Sequence, residues 1–147
     1  GPIATRCTRA PDQPAVTSKN MMTDTRELPL RVLFCCGVTQ NFFDLPRNEI
    51  GEVWQAYSTM LAAIEAMENV RVLGVMDDDR LVVGNADSAP WTFYIMADVA
   101  DFDTAVAVCN LYRTTPVGRY NLWRYGKIEA RVGRPLTAPP VSASKDI

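Results

Sequence analysis

Residues 46–68 read PRNEIGEVWQAYSTMLAAIEAME, with apolar side chains at steps of three and four. The apolar set is Ile50, Val53, Trp54, Tyr57, Met60, Leu61, Ile64 and Met67. Because Pro46 suits the first turn of a helix, the pattern predicts an amphipathic helix over 46–68. Such a helix is long enough to cover a whole sheet.

Stretches typical of strands lie on both sides of this helix. Residues 30–38 are a continuous apolar run and predict a strand buried on both faces or nearly so. Residues 70–76 predict a second strand, which ends at three consecutive aspartates typical of a turn. Residues 81–83 would extend a hairpin, and residues 91–99 predict a third strand rich in aromatic side chains.

A second helix and a last strand complete the pattern. Asp101 is placed to cap a helix with the apolar stripe Phe102, Ala105, Val106, Cys109 and Tyr112. Residues 122–132 predict the last strand, with Trp123, Tyr125, Lys127, Glu129 and Arg131 on one face. The order β-α-β-β-α-β predicts a ferredoxin-like α+β fold: a four-stranded antiparallel sheet with both helices on one face.

The other face of that sheet is predicted to meet a second copy of the chain. In the third strand Trp91, Phe93 and Ile95 alternate with Tyr94 and Met96, so both faces carry large apolar groups. Two helices cover only one face, and an apolar second face should not meet water. We therefore expect a two-fold homodimer through the sheet face, forming a dimeric α+β barrel.

The domain limits follow from where the periodic pattern stops. We expect one folded domain at 30–134, between a disordered N-terminal extension at 1–29 and a flexible C-terminal tail at 135–147. Gly1-Pro2 is typical of a cloning scar, and Met21 or Met22 would suit a native start.

Composition excludes several classes of function. The chain of 147 residues contains no histidine, which removes the commonest general base and the commonest metal ligand. The net charge of −2 and pI near 5.1 disfavour non-specific nucleic-acid binding, and no apolar run is long enough to span a membrane. The four cysteines form no CxxC pair. Cys35 and Cys36 are adjacent in a strand-like run, so they should point to opposite faces of the sheet, and they are typical of buried thiols in a reducing compartment. We expect a cytoplasmic protein without metal or other cofactor.

Candidate ligand-binding residues lie in three places. Gln40 and Asn41 follow the first strand, where their amides would orient a polar ligand or simply complete a turn. Trp54 and Tyr57 lie on the helix stripe, as core residues or as the wall of a pocket. Arg113 would bind a carboxylate, or would only favour the C-terminal end of its helix.

Candidate catalytic residues lie on the last strand. Alternating charges there are typical of a solvated face or a cross-strand ion pair. If the face is enclosed, burial would raise the pKa of Glu129 toward neutrality and make it a general base. Tyr125 would then donate a hydrogen bond to a developing enolate or carbonyl oxygen.

Four stretches resemble the small IacB-type proteins of bacterial indole-3-acetate (auxin) catabolism. They are RVLFCCGVTQNFFD at 31–44, PWTFYIMAD at 90–98, CNLYRTTPVG at 109–118 and LWRYGKIEAR at 122–131. The resemblance implies a role in the catabolism of an aromatic acid. In architecture the chain also resembles dimeric α+β-barrel proteins, among them EthD-like proteins, muconolactone isomerases and cofactor-free monooxygenases.

Three functions remain open at this level. The first is a cofactor-independent isomerase, lyase or oxygenase acting on an aromatic acid intermediate. The second is a dimer that binds or carries such an intermediate without converting it. The third is an accessory subunit that docks on a larger oxygenase. An enzyme requires a pocket containing a group with a shifted pKa, whereas a binding protein requires only the pocket.

Overall fold

The computed structural model describes residues 24–84 and 91–137, and its main elements confirm an α+β fold. The strands are β1 Leu30–Val38, β2 Val70–Asp77, β3 Phe93–Val99, β4 Pro116–Val117, β5 Tyr120–Asn121 and β6 Gly126–Gly133. The α-helices are α1 Gln40–Phe43, α2 Ile50–Ala66 and α3 Phe102–Thr114. Arg47–Glu49 and Leu122–Arg124 form 3-10 turns.

The long helix α2 is shorter at its start than its periodicity predicts. Residues 47–49 form a 3-10 turn after Pro46, and α-helical hydrogen bonding begins at Ile50. The residues that α2 buries are Val53, Ala56, Tyr57, Met60 and Ile64, so four of the eight predicted stripe residues are buried. Trp54 is 41% exposed, because it lies at the edge of the buried face rather than within it.

Helix α3 begins as predicted but is rotated relative to the predicted stripe. The Asp101 carboxylate accepts a hydrogen bond from the Thr104 backbone N–H at 2.8 Å and caps the helix. The buried side chains are Thr104, Ala105, Val108 and Tyr112. Phe102 and Val106 are 65% and 57% exposed, so the predicted stripe was wrong at both. The face of α3 that is buried against the sheet is therefore the one next to the predicted stripe.

The four long strands form one antiparallel sheet in the order β2-β3-β1-β6. Phe34 of β1 lies between Ile95 of β3 and Ala130 of β6. The side of the sheet that carries these residues, called the helix side, packs against both α2 and α3. The buried residues of its long strands include Val32, Phe34, Cys36, Val70, Ile95, Ala97 and Val99. This architecture is compatible with the predicted ferredoxin-like fold.

The opposite side of the sheet, called the open face, mixes apolar and charged groups. On β1 and β3 it consists of Arg31, Leu33, Cys35, Tyr94, Met96 and Asp98. The guanidinium of Arg31 donates to both carboxylate oxygens of Asp98, at 2.8 and 3.0 Å, and Arg71 donates to the same carboxylate at 3.2 Å. The face is therefore less apolar than the strand alternation predicts. Pairing with a second copy stays a prediction.

The last strand is shorter than predicted, and this changes which side chains share a face. β6 begins at Gly126, because the preceding residues form the β4–β5 hairpin and a 3-10 turn. Gly118 in that hairpin has a φ of +58°, a conformation that glycine adopts without strain. The predicted common face of Trp123 and Tyr125 with Lys127 was therefore wrong. The predicted extension at 81–83 was also wrong, since those residues form no strand.

The packed part of the chain begins before the predicted boundary at Leu30. Leu28 is buried, and Arg26 donates to the backbone carbonyls of Glu68 and Val70 at 2.7 and 3.1 Å. Asp24 forms an ion pair with Arg71 at 3.1 Å. The predictions for residues 1–23, 85–90 and 138–147, including Cys7, lie outside the described residues. None of the helices in the described ranges combines the length and the apolar character that crossing a bilayer requires.

Candidate ligand-binding clefts

A row of aromatic side chains leads from α1 along α2 to the sheet. Trp54 lies 5.2 Å from the ring of Phe42 and 5.6 Å from that of Tyr57. Tyr57 in turn lies 5.3 Å from Phe93 of β3. The helical spacing of Trp54 and Tyr57 places both on the side of α2 that faces β2 and β3.

Beside this row lies an open cleft of about 520 Å³ between α2 and β2, called the α2–β2 cleft. Its walls are Trp54, Tyr57, Ser58, Leu61, Val75, Met76, Asp77, Asp79, Thr92 and Phe93. The structure thus brings together the predicted pair Trp54 and Tyr57 at a pocket. The charged groups of its wall are the carboxylates of Asp77 and Asp79, which do not complement an aromatic acid.

A second cleft of about 420 Å³ lies between α3 and β6, called the α3–β6 cleft. Its walls are Thr39, Cys109, Asn110, Tyr112, Arg113, Trp123, Gly126, Lys127 and Ile128. The guanidinium of Arg113 lies over the ring of Trp123, 4.3 Å from its centroid. Arg113 is therefore held at the rim of a partly aromatic pocket, separate from the one that contains Trp54.

The wall between the two clefts is a buried pair of tyrosines. Tyr112 donates a hydrogen bond to the Tyr57 hydroxyl at 3.4 Å, and Tyr57 donates to the carbonyl of Gly37 at 3.2 Å. Gly126 packs against both rings, and a Cβ there would lie within 2.8 Å of Tyr112 Cε2 and still closer to the Tyr57 hydroxyl. Burial raises the pKa of Tyr57 to about 12 and raises that of Tyr112 as well. Both hydroxyls stay protonated near neutral pH.

The cysteines near these clefts are also protonated near neutral pH. Cys35 and Cys36 lie on opposite faces of β1, as predicted, and both are buried free thiols. Burial raises the pKa of Cys36 to about 12 and raises the pKa of Cys109 in the α3–β6 cleft. The thiolate form of cysteine is the nucleophile, so the surroundings of Cys36 and Cys109 do not activate either thiol.

Gln40 and Asn41 form part of α1 and lie outside the residues that line either cleft. The Gln40 amide donates to the Asp44 carboxylate at 3.0 Å, and the Asn41 amide donates to the carbonyl of Arg124 at 3.1 Å. Thr39 donates to the same carbonyl at 2.8 Å. These bonds attach α1 to the turn before β6, which is the structural alternative considered for Asn41.

Glu129 and Tyr125 lie on opposite sides of the sheet. Glu129 pairs across the ladder with Cys35 on the open face, and its carboxylate bonds Arg131 Nε at 2.6 Å. Tyr125 is 7% exposed and belongs to the helix-side core. The structure therefore does not bring the two predicted catalytic groups together, and it places Glu129 in an exposed ion pair.

Among the wall residues that were not predicted as ligand contacts, three determine the charge or the stacking of the clefts: Trp123, Asp77 and Asp79. Trp123 follows Arg113 by ten residues across a hairpin, so neither helical nor strand spacing connects them. The aspartates were interpreted as a turn; in the structure Asp77 is the last residue of β2, and residues 78–79 have no regular secondary structure. The sequence places Asp77 and Asp79 two positions apart at the end of a strand, which could have indicated a shared rim. The sequence does not show that α2 lies opposite them.

Two comparisons with known proteins found no relative of this chain. A scan against protein-family models found no match, and a search of curated proteins found none. Within 24–84 and 91–137, no group of three or more cysteine or carboxylate side chains is placed to hold a metal ion. The candidate sites are thus defined by their geometry: the α3–β6 cleft carries Arg113 and Lys127, and the α2–β2 cleft carries Asp77 and Asp79.

Proposed function

We propose that the chain binds a small aromatic acid in the α3–β6 cleft and does not convert it. The observation that carries the proposal is the Arg113 guanidinium, stacked on Trp123 at the rim of a 420 Å³ cleft. Stacking on a ring face leaves the guanidinium N–H donors available, in their plane, to a carboxylate. Tyr112, Cys109 and Ile128 supply the apolar wall for the ring of the ligand.

The ionisable groups of this cleft favour binding over catalysis. Burial raises the pKa values of Cys109 and Tyr112, so neither is a base near pH 7. Arg113 and Lys127 are cations and accept no proton. An enzymatic reaction through Glu129 and Tyr125 would need both at one site, and the sheet lies between them.

Indole-3-acetate is the first ligand to test, because the sequence resembles proteins of its catabolism. Calorimetry on the wild type and on Arg113→Gln measures the affinity of the free acid. We expect Arg113→Gln to weaken binding by about tenfold or more, since a charge-assisted hydrogen bond contributes roughly 1.5–3 kcal/mol. Mass spectrometry of the recovered ligand should find it unchanged.

Arg119→Gln is the matched control, because it removes the same charge. Arg119 lies over Tyr120, 5.1 Å from the ring centroid, and does not line the cleft. If Arg113→Gln and Arg119→Gln weaken the binding of indole-3-acetate equally, the effect comes from long-range charge. That result would contradict the proposed site. A new product from the bound acid would contradict the binding function and favour an enzyme.

We further propose that this ferredoxin-like unit forms a homodimer through the open face, in the cytoplasm. Leu33 and Met96 are cross-strand partners on that face, and Met96 is 40% exposed. The free thiols Cys35, Cys36 and Cys109 suit a reducing compartment. Light scattering should give a dimer mass that Met96→Lys reduces to a monomer, whereas a monomeric wild type would contradict the pairing.

A further inference from the structure

The α2–β2 cleft combines aromatic walls with carboxylates and has no cation among its wall residues. Trp54 and Tyr57 lie 5.6 Å apart with their rings inclined by 35°, and Phe93 lies edge-on to Tyr57. Ring faces attract a cation through their quadrupole, and partial exposure keeps the Trp54 face accessible. The aromatic wall alone would accept any flat apolar ring.

The carboxylates determine which charge such a ring can carry. Asp77 is the last residue of β2, and its Oδ1 accepts the Asp79 backbone N–H at 3.3 Å. This bond keeps both aspartates at the same rim of the cleft. Asp78 points the other way, since its Oδ2 accepts a hydrogen bond at 3.0 Å from Tyr94 on the open face. Two of the three consecutive aspartates therefore face the cleft.

We propose that the α2–β2 cleft is a second ligand site, which takes a protonated amine carried on an aromatic ring. The ring packs against Trp54, Tyr57 and Phe93, and the ammonium group lies between the carboxylates of Asp77 and Asp79. A carboxylate on the same ring would meet two like charges there. The volume of about 520 Å³ admits a ring system of indole size.

This site does not rest on the proposed binding of an acid, because the two clefts share no wall residue. The acid cleft carries Arg113 and the amine cleft carries Asp77 and Asp79. One protein thus offers separate places for ligands of opposite charge, separated by the Tyr57–Tyr112 pair.

Three probes with one ring and different charge test the proposal: tryptamine, indole and indole-3-acetate. Calorimetry should show tryptamine binding about tenfold more tightly than indole to the wild type at low salt. Asp77→Asn/Asp79→Asn should remove that preference and leave the affinity for indole-3-acetate unchanged. Added salt should weaken tryptamine binding and leave indole binding nearly constant, which tests the ion pairing without any substitution.

Glu65→Gln/Asp103→Asn is the control, since it removes two negative charges from exposed helix positions outside the cleft. Retained tryptamine preference in this control is the expected result. Tryptamine binding no tighter than indole, or an equal loss in both double variants, would overturn the amine site. Loss of tryptamine binding on Arg113→Gln would also overturn it, because the amine would then occupy the other cleft.

Discussion

Neighbouring residues of β1 lie in very different surroundings on the two sides of the sheet. Phe34 and its partner Ile95 are fully buried beneath the helices, whereas Leu33 and its partner Met96 lie partly exposed on the open face. The helix side is stabilised by apolar packing, since its rings and branched side chains leave water completely. The open face depends on a few polar contacts, above all the ion pairs of Asp98.

The comparison shows that alternation along a strand does not tell how much each face contributes to stability. The β1 side chains on both sides of the sheet include large apolar groups. In the single chain, only those on the helix side are covered, by α2 and α3. Charged groups on the open face also differ among themselves. Asp98 is 3% exposed between two arginines, whereas Glu129 pairs with Arg131 in solvent. The following substitutions test these differences, beginning with the largest expected effect.

Phe34→Ala should lower the free energy of unfolding by about 4 kcal/mol, because it leaves a cavity at the centre of the helix side. Leu33→Ala on the open face should lower the free energy of unfolding of the monomer by only about 1 kcal/mol, since Leu33 is partly exposed in the single chain and water can fill the space. Urea denaturation measures both. A comparable loss at a protein concentration where light scattering gives a monomer would contradict the partial exposure of Leu33. A comparable loss found only where the chain is dimeric would agree with the proposed homodimer.

Gly126→Ala should destabilise the protein by about 3 kcal/mol, because the added methyl group overlaps the Tyr57 hydroxyl and the Tyr112 ring. Gly133→Ala, at the other end of β6, is the control: its Cβ would only reach 4.0 Å from the Arg31 carbonyl. Thermal unfolding compares the two. If Gly126→Ala unfolds at the temperature of the control, the two tyrosines do not pack as described.

Asp98→Asn should lower the free energy of unfolding by about 2 kcal/mol at pH 7, because Arg31 and Arg71 lose their common partner. Hydrogen bonds from Arg31 hold the pKa of Asp98 below its ordinary value. A lowered folded-state pKa adds stability above the unfolded pKa of about 3.9, and this stability is lost as the pH falls through the folded value.

The difference between the wild type and Asp98→Asn should therefore be largest near pH 7 and should shrink as the pH falls below about 4. Urea titrations at pH 7 and pH 3 measure it. A difference that is the same at both values would mean that the ion pairs contribute nothing and that the substitution acts only through packing.

Glu129→Gln should leave the melting temperature within about 1 °C of the wild type, because an exposed ion pair contributes little. Binding of indole-3-acetate should also be unchanged, since Glu129 does not line the α3–β6 cleft. A melting temperature several degrees below that of the wild type, or altered binding of indole-3-acetate, would place Glu129 in an enclosed site. Glu129 would then again be a candidate general base.

Much of the secondary structure could be predicted from local signals. β1, the main part of α2 and the Asp101 cap of α3 follow from an apolar run, a helical period and a capping residue. The start of β6 could not be predicted, because the β4–β5 hairpin and the turn at 122–124 carry strand-like residues that form no long ladder. That displacement moved Tyr125 into the core and separated it from Glu129.

The candidate site could be predicted only in parts. Helical spacing placed Trp54 and Tyr57 side by side on α2, and both line the α2–β2 cleft. Arg113, another predicted ligand contact, lies apart from them, because its helix ends beside β6, whereas Trp54 faces the β2 edge. Distances across a sheet depend on strand order, which local patterns do not contain.

The sequence by itself determined the lack of histidine chemistry, the order of the main elements and the residue types available for binding. These are properties of composition and of periods only a few residues long. Only the tertiary structure decided that the aromatic residues and Arg113 line two clefts, and that Asp77 and Asp79 give one of them a negative rim. The charge of each pocket depends on side chains far apart in the chain, which come together only when the helices pack on the sheet.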